Sequence, residues 1–483
     1  MSTQLATTKK LYIETVGCQM NVLDSEMVVA SLRQHGYDLT HQPEQADALL
    51  FNTCSVRENA ETKVYNSLAK LKLLKLEHPE KMIGVMGCMA QKDQKLVFER
   101  APYVDLVVGP GQLHRIPELL SLVQAGAGQQ MAVSLGRRDG SQAEIKRSHE
   151  SFDPLRDPTM RPTPFQAYLR IQIGCDKFCT YCIVPMTRGP EQGRSPQVIL
   201  AEAQELARQG CKEITLIGQT VNSYRYLDGD RDTRLADLLE LIHDIDGLER
   251  IKFVTNYPKD MTQRLLETVR DLPKCATYLH VPAQSGSDEV LKRMKRGYTI
   301  AEYMEMMERI ENILPNAAVS SDFIVGFCGE TEEDFQKSVE LIRQCRFKNS
   351  FIYKYSVRPG TKGSVLYTDD VPEDVKQRRN VELLDVQNEI SQIGNLQFLG
   401  KHVNVLVEGP SKLSVKRGET GPLRQMIGRT ECDRIVVWDG NERQAGHILP
   451  ILIHDANCHT LFGAVETVDE SPQVLNVALP VTT

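Results

Sequence analysis

Short apolar segments alternate with longer amphipathic segments along the first 125 residues of the chain. The apolar segments LYIETV, ALLFN, MIGVM and DLVVG predict four buried strands. Helical periodicity follows each strand in turn, over 23–34, 60–76, 91–99 and the segment HRIPELLSLV. This alternation is typical of an open parallel sheet wrapped by helices, so we predict an α/β domain over 9–125.

The alternation stops at residue 126 and resumes after residue 164. Gly, Ser, Gln, Arg, Asp and Pro dominate this stretch, which predicts a linker over 126–164. Six further strand candidates follow, with helical patterns between them: AYLRIQIG, EITLIG, IKFVTN, TYLHVP, VSSDFIVGF and SFIYKYS. Six units are too few for an eight-stranded barrel, and they favour a partial (βα)6 barrel, or else an open parallel sheet, over 165–398.

The end of the chain has a third pattern. Residues 399–467 contain the β-rich segments HVNVLVEG, RIVVWDG and HILPILIHDA, divided by Gly and Pro. About seventy residues of this kind predict a small β-barrel of the OB type. Residues 468–483 are expected to form a frayed tail. A chain of 483 residues is long enough for three such domains.

Composition and charge narrow the class of protein. The chain is 41% hydrophobic and 25% charged, which are ordinary values for a globular protein. Its net charge of −7 argues against binding nucleic acid through total charge, but leaves a local basic patch open. No apolar run approaches the length of a membrane span, and MSTQLATTKK lacks the apolar core of a secretory signal. We therefore expect a cytoplasmic protein without a membrane partner.

Twelve cysteines are too few for a disulfide scaffold, and in the cytosol clustered cysteines indicate metal binding or catalysis. Cys175, Cys179 and Cys182 follow a predicted strand in a C-x3-C-x2-C pattern. Three such thiolates can ligate three irons of a [4Fe–4S] cluster and leave the fourth iron open to a small chelating ligand. Structural zinc is the alternative, but it normally needs a fourth ligand, and Asp176 fits that role poorly.

Three other cysteines share a position relative to the predicted strands. Cys18, Cys54 and Cys88 each come just after a strand of the N-terminal region. Carboxyl ends of parallel strands meet at one edge of an open sheet, where ligands bind. These cysteines can therefore converge in space, although 36 and 34 residues separate them in sequence. Three unrelated buried cysteines are the alternative, because free cysteine is common in protein cores.

The segment GCDKFCTYC resembles the signature loop of the radical S-adenosylmethionine enzymes, including Tyr181 before the last cysteine. The resemblance implies that Cys175, Cys179 and Cys182 bind a [4Fe–4S] cluster whose open iron is chelated by S-adenosylmethionine. An electron from the reduced cluster then cleaves that cofactor to methionine and a 5′-deoxyadenosyl radical. It also implies an external electron donor such as flavodoxin or ferredoxin.

The segments GCQMNVLDSE, NTCSVRENAE and VMGCMAQ resemble the three cysteine motifs of the methylthiotransferase family, and the similarity runs from Lys9 to about Glu466. It implies a second [4Fe–4S] cluster on Cys18, Cys54 and Cys88, which takes part in sulfur delivery. It also implies that the C-terminal barrel is a TRAM domain, an RNA-binding module.

The residues around Cys54 resemble those of one branch of this family. NTCSVRENAE is similar to the MiaB type, which adds a methylthio group to C2 of N6-isopentenyladenosine at tRNA position 37, in the anticodon stem-loop. The alternatives within the family act on an aspartate of ribosomal protein S12 or on threonylcarbamoyl-adenosine in tRNA. A non-catalytic zinc or iron adaptor that binds RNA is an alternative of another class. Cys328 stands where the family usually has Pro, and we expect it to be a packing residue.

Weaker candidates lie at other predicted strand ends. Barrel strand ends usually carry ligand-binding residues, although polar residues there also cap helices. The resemblance suggests that six of them contact S-adenosylmethionine: Gly218, Gln219, Asn222, Gln284, Ser285 and Asp322. The sequence assigns no general acid or base.

A run of basic residues stands out in the C-terminal region. The run consists of Lys412, Lys416, Arg417, Arg424 and Arg429. It predicts a patch that contacts RNA phosphates, and a solvated charged loop is the alternative.

Overall fold

A computed structural model of the chain describes residues 8–55, 58–133 and 156–466. These residues fall into two compact units that divide between Ser391 and Gln392. The first unit contains the six-stranded N-terminal sheet and a central region with two three-stranded parallel sheets. The second unit contains a closed β-barrel. Within the described ranges, no helix combines the length and the apolar character needed to cross a membrane.

Six parallel strands form the N-terminal sheet. They are β1 Lys9–Val16, β2 Tyr37–Leu39, β3 Ala48–Thr53, β4 Met82–Gly87, β5 Leu106–Val108 and β6 Gln130–Ala132. Their order in the sheet is β2-β1-β3-β4-β5-β6. All residues of β3 and β4 are buried, which explains their almost continuous apolar sequences. The edge strands β2 and β6 have only three residues each, too few to show a periodicity, and β6 lies where the sequence predicts a linker.

The helices of this region are α1 Gln19–Gln34, α2 Glu58–Glu77, α3 Cys88–Asp93, α4 Lys95–Arg100 and α5 Ile116–Gln124. The single helix predicted over 91–99 is wrong, because Gln94 has φ +48° and ψ −120° and separates α3 from α4. As a result, α3 begins at Cys88, directly at the end of β4.

The central region contains two three-stranded parallel sheets, β13-β10-β7 and β14-β15-β16. Their strands are β7 Gln166–Arg170, β10 Glu213–Ile217, β13 Arg250–Phe253, β14 Tyr278–His280, β15 Ala318–Val325 and β16 Asn349–Lys354. All six correspond to the strand candidates seen in the sequence. A parallel bridge between Ile251 and Cys275 connects the end of the first sheet to the segment that leads into β14.

Two short antiparallel pairs and nine helices accompany these sheets in the part of the chain that the structure describes. The pairs are β8 Gln172–Ile173 with β9 Gln192–Gly193 and β11 Arg225–Asp228 with β12 Arg231–Arg234. The helices are α6 Val184–Thr187, α7 Pro196–Arg208, α8 Leu235–His243, α9 Gln263–Asp271, α10 Asp288–Arg293, α11 Ile300–Ile313, α12 Glu332–Cys345, α13 Lys362–Leu366 and α14 Glu373–Leu396. The buried faces of the longer helices pack on the strands in one large apolar core.

Helix α1 joins the N-terminal sheet to the central region. Met20, Leu23 and Met27 on one face of this helix pack against Ile173 and Ile217 in a separate apolar cluster. Because these residues bury apolar surface between the two assemblies, the cluster stabilises their relative position.

A buried network of charged groups lies beside this cluster. The Nε atoms of Arg156 and Arg161 both lie 2.9 Å from the same carboxylate oxygen of Glu26 on α1. A second nitrogen of Arg156 lies 2.6 Å from Glu202 on α7. The segment that contains the two arginines therefore links α1 to the central region.

The second unit is a five-stranded closed barrel in the order β17-β18-β19-β21-β20. Its strands are β17 His402–Pro410, β18 Arg424–Thr430, β19 Ile435–Gly440, β20 Ile448–Ala456 and β21 Thr460–Ala464, and it carries the short helix α15 Lys412–Arg417. Val405, Val436, Trp438 and Ile451 fill its interior. The sequence does not reveal β18 and β21, because two of the seven residues of β18 are arginines and β21 has only five residues.

Candidate active site

The register of the N-terminal sheet places two cysteines side by side. Thr53 pairs with Gly87 at the ends of β3 and β4. Cys54 and Cys88 are the next residues, so they leave the sheet at the same level. The amide of Cys54 also donates to the carbonyl of Val16 at 3.0 Å, which ties this point to the end of β1.

Cys18 completes this group, which we call the N-terminal trio. It is the N-cap residue of α1, directly after β1. Its thiol forms a hydrogen bond with Cys54, and it lies near enough to Cys88 for their charges to interact. Cys54 and Cys88 are buried, whereas part of Cys18 remains accessible to solvent. The structure thus brings together the three cysteines that the strand positions single out.

The residue before Cys88 has to be glycine. Gly87 has φ +94°, and a Cβ atom there would lie 2.5 Å from Oδ1 of Asn52 and 2.7 Å from the carbonyl of Thr53. No L side chain fits this conformation and this space together. The glycine therefore allows β4 to turn directly into α3 with Cys88 at the edge of the sheet.

A hydrogen-bond network of buried polar side chains lies next to the N-terminal trio. Nδ2 of Asn21 donates to Oδ1 of Asn52 at 2.9 Å, and Nδ2 of Asn52 donates to the carbonyl of Asn21 at 2.7 Å. Asn52 also donates to the hydroxyl of Ser25 at 2.9 Å, and all three residues are fully buried. Sequence reasoning missed them, although Asn21 and Asn52 lie within three residues of Cys18 and Cys54.

An arginine from the central region contacts the N-terminal trio. Nε of Arg188 donates to Sγ of Cys88 at 3.3 Å. The hydrogen bond with Cys54 and the positive charge of Arg188 lower the pKa of Cys18 to about 6, against the opposing effect of burial. Burial raises the pKa of Cys88. Cys18 therefore ionises more readily than Cys88.

The second group, Cys175, Cys179 and Cys182, is here called the central trio. It follows β8 in a compact loop, in which the amide of Cys182 donates to the carbonyl of Cys179 at 3.1 Å. Gly174 at its start has φ +79°, and a Cβ atom there would lie 1.8 Å from the carbonyl of Pro190. The loop can therefore turn this sharply only with glycine at position 174.

Hydrogen bonds fix the central trio from outside the loop. The amide of Thr180 donates to the carbonyl of Met294 at 3.0 Å, and its hydroxyl donates to the carbonyl of Arg293 at 2.9 Å. Nη1 of Arg296 donates to Sγ of Cys179 at 3.4 Å. The loop is therefore held against the segment that follows α10.

The thiols of the central trio are close enough to affect one another. Burial, with a smaller contribution from the charge of the nearby Cys179, raises the pKa of Cys175 to about 11 and that of Cys182 to about 12. Without a metal, Cys175 and Cys182 hold their protons at neutral pH. Metal binding at this trio therefore releases protons.

The donor sets fit iron–sulfur clusters better than single metal ions. Among the described residues, no three His, Cys, Asp or Glu side chains converge as the ligands of one ion would. Zinc requires all its ligands within about 2.3 Å of one point. A cluster of four irons takes one thiolate for each iron, so its ligands are spaced more widely.

The two trios adjoin the same junction. Helix α3, which begins at Cys88, packs against α6, which begins two residues after Cys182. The segment after β16, including the start of α13, contacts residues next to both trios. Arg358 donates to the carbonyl of Ser55, next to Cys54, and the amide of Gly363 donates to the carbonyl of Thr180 at 2.6 Å.

The six weaker candidates differ in what their atoms do. Both ends of the Asn222 amide bond the backbone of Tyr257, at 2.7 and 2.8 Å. The hydroxyl of Ser285 accepts from the amide of Ser287 at 3.2 Å, and Oδ1 of Asp322 lies 3.2 Å from Nε2 of His280. These three side chains therefore already have partners within the protein.

The other three candidates are Gln219, Gln284 and Gly218, and each has a different structural feature. Oε1 of Gln219 is buried without a hydrogen-bond partner among the described residues. Gln284 is buried and has φ +72°, a rare backbone conformation that concentrates at functional sites. Gly218 directly follows β10, and its carbonyl accepts from the hydroxyl of Thr255 at 2.9 Å.

Sequence reasoning missed further polar groups at these strand ends. Oε1 of Gln172, Nε2 of Gln192 and Oδ1 of Asn256 are also buried without a hydrogen-bond partner in the described part of the chain. Gln172 lies three residues before Cys175, just outside the segment GCDKFCTYC. Its closeness to that segment is the sequence signal that could have identified Gln172. Buried polar atoms without partners are costly, and a bound polar ligand would satisfy them.

Two family models match this chain. Residues 169–342, which contain the central trio, match the Radical SAM superfamily. Residues 10–109, which contain the N-terminal trio, match Uncharacterized protein family UPF0004.

Curated relatives match almost the whole chain. A tRNA-2-methylthio-N(6)-dimethylallyladenosine synthase from Rhodopirellula baltica is 67% identical over 99% of this chain and 98% of its own length. Proteins of the same name from Acidovorax sp. and Bordetella avium are 45% and 42% identical over 95% and 98% of this chain. These matches cover 97% and 95% of the two relatives.

Solved structures show a likeness in fold. The radical S-adenosylmethionine methyltransferase TsrM from Kitasatospora setae, solved with cobalamin and a [4Fe–4S] cluster, aligns with a TM-score of 0.54 at 14% identity. The alignment covers 75% of this chain and 78% of that chain. The likeness agrees with a radical SAM fold built on parallel α/β sheets.

Proposed function

The chain belongs to the tRNA-2-methylthio-N(6)-dimethylallyladenosine synthase family of radical S-adenosylmethionine enzymes, and we propose that its two cysteine trios carry out that family's reaction. The enzyme converts N6-isopentenyladenosine in tRNA to its 2-methylthio derivative, with [4Fe–4S] clusters and S-adenosylmethionine as cofactors. Identity of 67% over 99% of the chain to a relative of that name carries this conclusion.

The central trio holds the cluster that cleaves S-adenosylmethionine. When bound, this cluster supplies the electron for cleavage of the sulfonium, and the cofactor supplies the 5′-deoxyadenosyl radical. The protein fixes Cys175, Cys179 and Cys182 through the tight turn at Gly174 and the two hydrogen bonds of Thr180. Because this trio would supply only three thiolates, one iron of the cluster would remain without a protein ligand and would be available to S-adenosylmethionine.

The N-terminal trio holds the second cluster, which takes part in sulfur delivery. C2 of adenine is an unactivated C–H carbon, so abstraction of its hydrogen and delivery of sulfur have to occur at the same base. The packing of α3 against α6 and the contacts of Arg358 and Gly363 support this arrangement, because they place both trios at one junction.

S-adenosylmethionine binds beside the central trio, at the ends of the central strands. Gln219 and Gln284 are the side chains best placed to contact it, and Gly218 allows close approach of the backbone. Asn222 positions the backbone of Tyr257, while Ser285 and Asp322 shape the same edge through Ser287 and His280. Gln172 and Asn256 join this set because each has a buried polar atom without a partner among the described residues.

The six parallel central strands form a partial (βα)6 barrel, and the C-terminal barrel is an OB-like TRAM domain that binds tRNA. The continuity of the two central sheets through the bridge at Ile251 supports the first assignment, and the closed five-stranded barrel supports the second. The anticodon stem-loop, with its modified adenosine at position 37, is the part of tRNA that reaches the junction. An external electron donor such as flavodoxin or ferredoxin supplies the electron.

Cysteine variants test the two sites separately. Anaerobically reconstituted enzyme is expected to hold about eight irons per chain and to form 5′-deoxyadenosine on reduction. Cys179→Ala should abolish 5′-deoxyadenosine formation, because it removes a ligand of the cleaving cluster. Cys54→Ala should retain cofactor cleavage but yield no methylthiolated nucleoside in hydrolysed tRNA. Cys345→Ala, which changes a cysteine outside both trios, serves as the matched control and should retain both activities.

Three outcomes would overturn these assignments. Full product formation by Cys54→Ala would remove the N-terminal trio from sulfur delivery. A mass gain on ribosomal protein S12, without modified tRNA, would change the substrate. About one zinc per chain without cofactor cleavage would indicate an RNA-binding adaptor instead of an enzyme.

A further inference from the structure

Each trio is contacted by one buried arginine. Nε of Arg188 donates to Sγ of Cys88 at 3.3 Å, and Nη1 of Arg296 donates to Sγ of Cys179 at 3.4 Å. Only 3% of Arg188 and 7% of Arg296 are exposed to solvent. A buried guanidinium next to a thiolate acts in a low dielectric, where its charge is felt strongly.

The two arginines differ in how their charge is balanced. Nη2 of Arg188 lies 2.8 Å from Oδ2 of Asp24, which is fully buried. The other oxygen of Asp24 lies 3.5 Å from Nη1 of Arg170. A carboxylate shared by two guanidiniums neutralises each of them only in part.

Arg296 has no carboxylate partner among the described residues. It donates to the hydroxyl of Tyr298 at 3.0 Å and to the carbonyl of Pro282 at 3.1 Å. Its guanidinium also lies over the rings of Tyr257 and Tyr298, 5.2 Å from each centroid. Neutral groups therefore hold Arg296, whereas an ion pair holds Arg188.

Arg188 reaches the N-terminal trio from a different part of the molecule. It lies directly after α6, in the central region, 100 residues along the chain from Cys88. Asp24 lies on α1, which also carries Cys18 at its N-terminal end. The N–H group that reaches Cys88 is therefore present only when the N-terminal sheet and the central region are packed together.

We propose that Arg188 is a positioning residue for the cluster of the N-terminal trio: it orients the Cys88 thiolate and raises the reduction potential of that cluster, and Asp24 limits the rise. This inference rests on the proposed function, since it requires a cluster at this trio. Hydrogen bonds to cluster sulfurs and nearby positive charge favour the reduced, more negative state of a cluster. The negative charge of Asp24 acts in the opposite direction.

Redox titration of the reconstituted full-length enzyme, followed by electron paramagnetic resonance, tests the proposal. Repeating each titration with Cys175, Cys179 and Cys182 all replaced by Ala isolates the signal of the N-terminal cluster. Arg188→Gln should lower the midpoint potential of the N-terminal cluster. The expected shift is about 59 mV for one electron, which is a roughly tenfold change in the ratio of reduced to oxidised cluster at a fixed potential. Arg188→Lys, which keeps the charge, should shift the midpoint potential less. Asp24→Asn should raise it.

The opposite signs separate an electrostatic role from general loosening of the structure. Arg296→Gln is the matched control: in the same background without the three central cysteines, it removes a buried arginine that, among the residues that the structure describes, does not contact the N-terminal trio, and it should leave the N-terminal midpoint unchanged. Iron and sulfide analysis accompanies every variant, and Arg188→Lys replaces Arg188→Gln as the deciding variant if the latter loses iron.

Specific results would overturn the proposal. Shifts of the same sign for Arg188→Gln and Asp24→Asn, or no shift in variants with full iron content, would exclude this role of Arg188. About four irons per chain in the unmodified enzyme would instead remove the second cluster, and with it the proposed function of the N-terminal trio.

Discussion

A single backbone conformation decides where Cys88 emerges from the sheet. Gly87 combines a positive φ with a space in which a Cβ atom would meet Asn52 and Thr53 at 2.5 and 2.7 Å. The carbonyl of Thr53 belongs to a buried central strand and cannot move away easily. The position of Cys88 therefore depends on the absence of one carbon atom.

We expect Gly87→Ala to destabilise the enzyme by at least about 2 kcal/mol and to reduce the iron bound by the N-terminal trio. Gly36→Ala is the matched control, because Gly36 also has a positive φ of +81° but has no neighbouring atom within 4 Å of the point that a Cβ atom would occupy. It should cost only about 1 kcal/mol. Thermal melting and iron analysis measure both effects, and equal melting temperatures for the two variants would contradict the steric argument.

The residues of the site differ in how visible they are in the sequence. Short spacing marks the central trio, and a shared position after predicted strands marks Cys18, Cys54 and Cys88. Arg188 and Arg296 give no such signal, because they lie 100 and 117 residues from the cysteines that they contact. Only the tertiary fold brings such pairs together.

At the scale of elements, helix α1 has two roles. Its first turn begins at Cys18, and its buried face contacts the central region through Met20, Leu23 and Met27. The same helix therefore positions Cys18 and docks the N-terminal sheet onto the central region.

We expect Leu23→Ala to destabilise the first unit by roughly 2–5 kcal/mol, because Leu23 is only 1% exposed and the cavity lies between two assemblies. Leu73→Ala, at a position 68% exposed on α2, should change stability by less than about 0.5 kcal/mol. Urea unfolding of the two variants measures the difference. A similar midpoint for both would show that the α1 contact adds little to stability.

The buried ion pairs beside α1 predict a dependence on pH. Burial opposes the ionisation of Glu202, but Arg194 and Arg156 outweigh it and hold its pKa below the usual range. A carboxylate with a lowered pKa contributes stability that is present above its unfolded value of 4.5 and is lost as the pH falls through the folded value. The link between α1 and the central region should therefore weaken in acid.

We expect Glu202→Gln to be less stable than the unchanged enzyme at pH 7, by about 3 kcal/mol, because it leaves buried arginines without their partner. It should also lose less stability between pH 5 and pH 3. Glu205→Gln, which removes the carboxylate of a surface pair with Arg208, is the control and should leave the pH profile unchanged. Melting temperatures across this pH range provide the measurement, and parallel profiles for all three proteins would refute the assignment.

Elements with a long periodic pattern could be predicted from the sequence, and short or interrupted elements could not. The six central strands coincide with the predicted segments, and helices such as α7 lie in the helical patterns between them. The strands β2 and β6 are too short to carry a periodicity, and the break between α3 and α4 depends on one residue, Gln94, with an unusual conformation. Local pattern cannot reveal a feature that tertiary packing imposes.

At the scale of the molecule, the net negative charge of the chain conceals a local excess of positive charge. The chain has a net charge of −7, yet α15 of the C-terminal barrel exposes Lys412, Lys416 and Arg417. Arg417 lies 3.8 Å from Glu419 at its exposed end. The other two basic residues of the predicted patch form closer ion pairs: Arg424 with Glu442, and Arg429 with Glu408 and Asp433. The sequence run of five basic residues thus separates into exposed and neutralised members.

We expect the affinity for tRNA to fall as salt is added, because phosphate contacts release counterions. Replacing Lys412, Lys416 and Arg417 with Gln should make the logarithmic salt dependence shallower by roughly two to three units. Arg429→Gln, at a residue already paired with carboxylates, should leave the slope unchanged. Binding measured across a salt series gives these slopes, and an unchanged slope in the triple variant would remove α15 from the tRNA contact.

The strand register at Thr53 and Gly87 also bears on how this centre can vary among relatives. Its geometry depends on where β3 and β4 end, while the crossover through α2 only has to return the chain to the sheet. Insertions or deletions in that crossover leave the arrangement of Cys54 and Cys88 intact, whereas a slip of one residue within a strand turns its side chains to the opposite face. A genome search that demands fixed spacing between the first three cysteines would therefore overlook proteins that build the same centre.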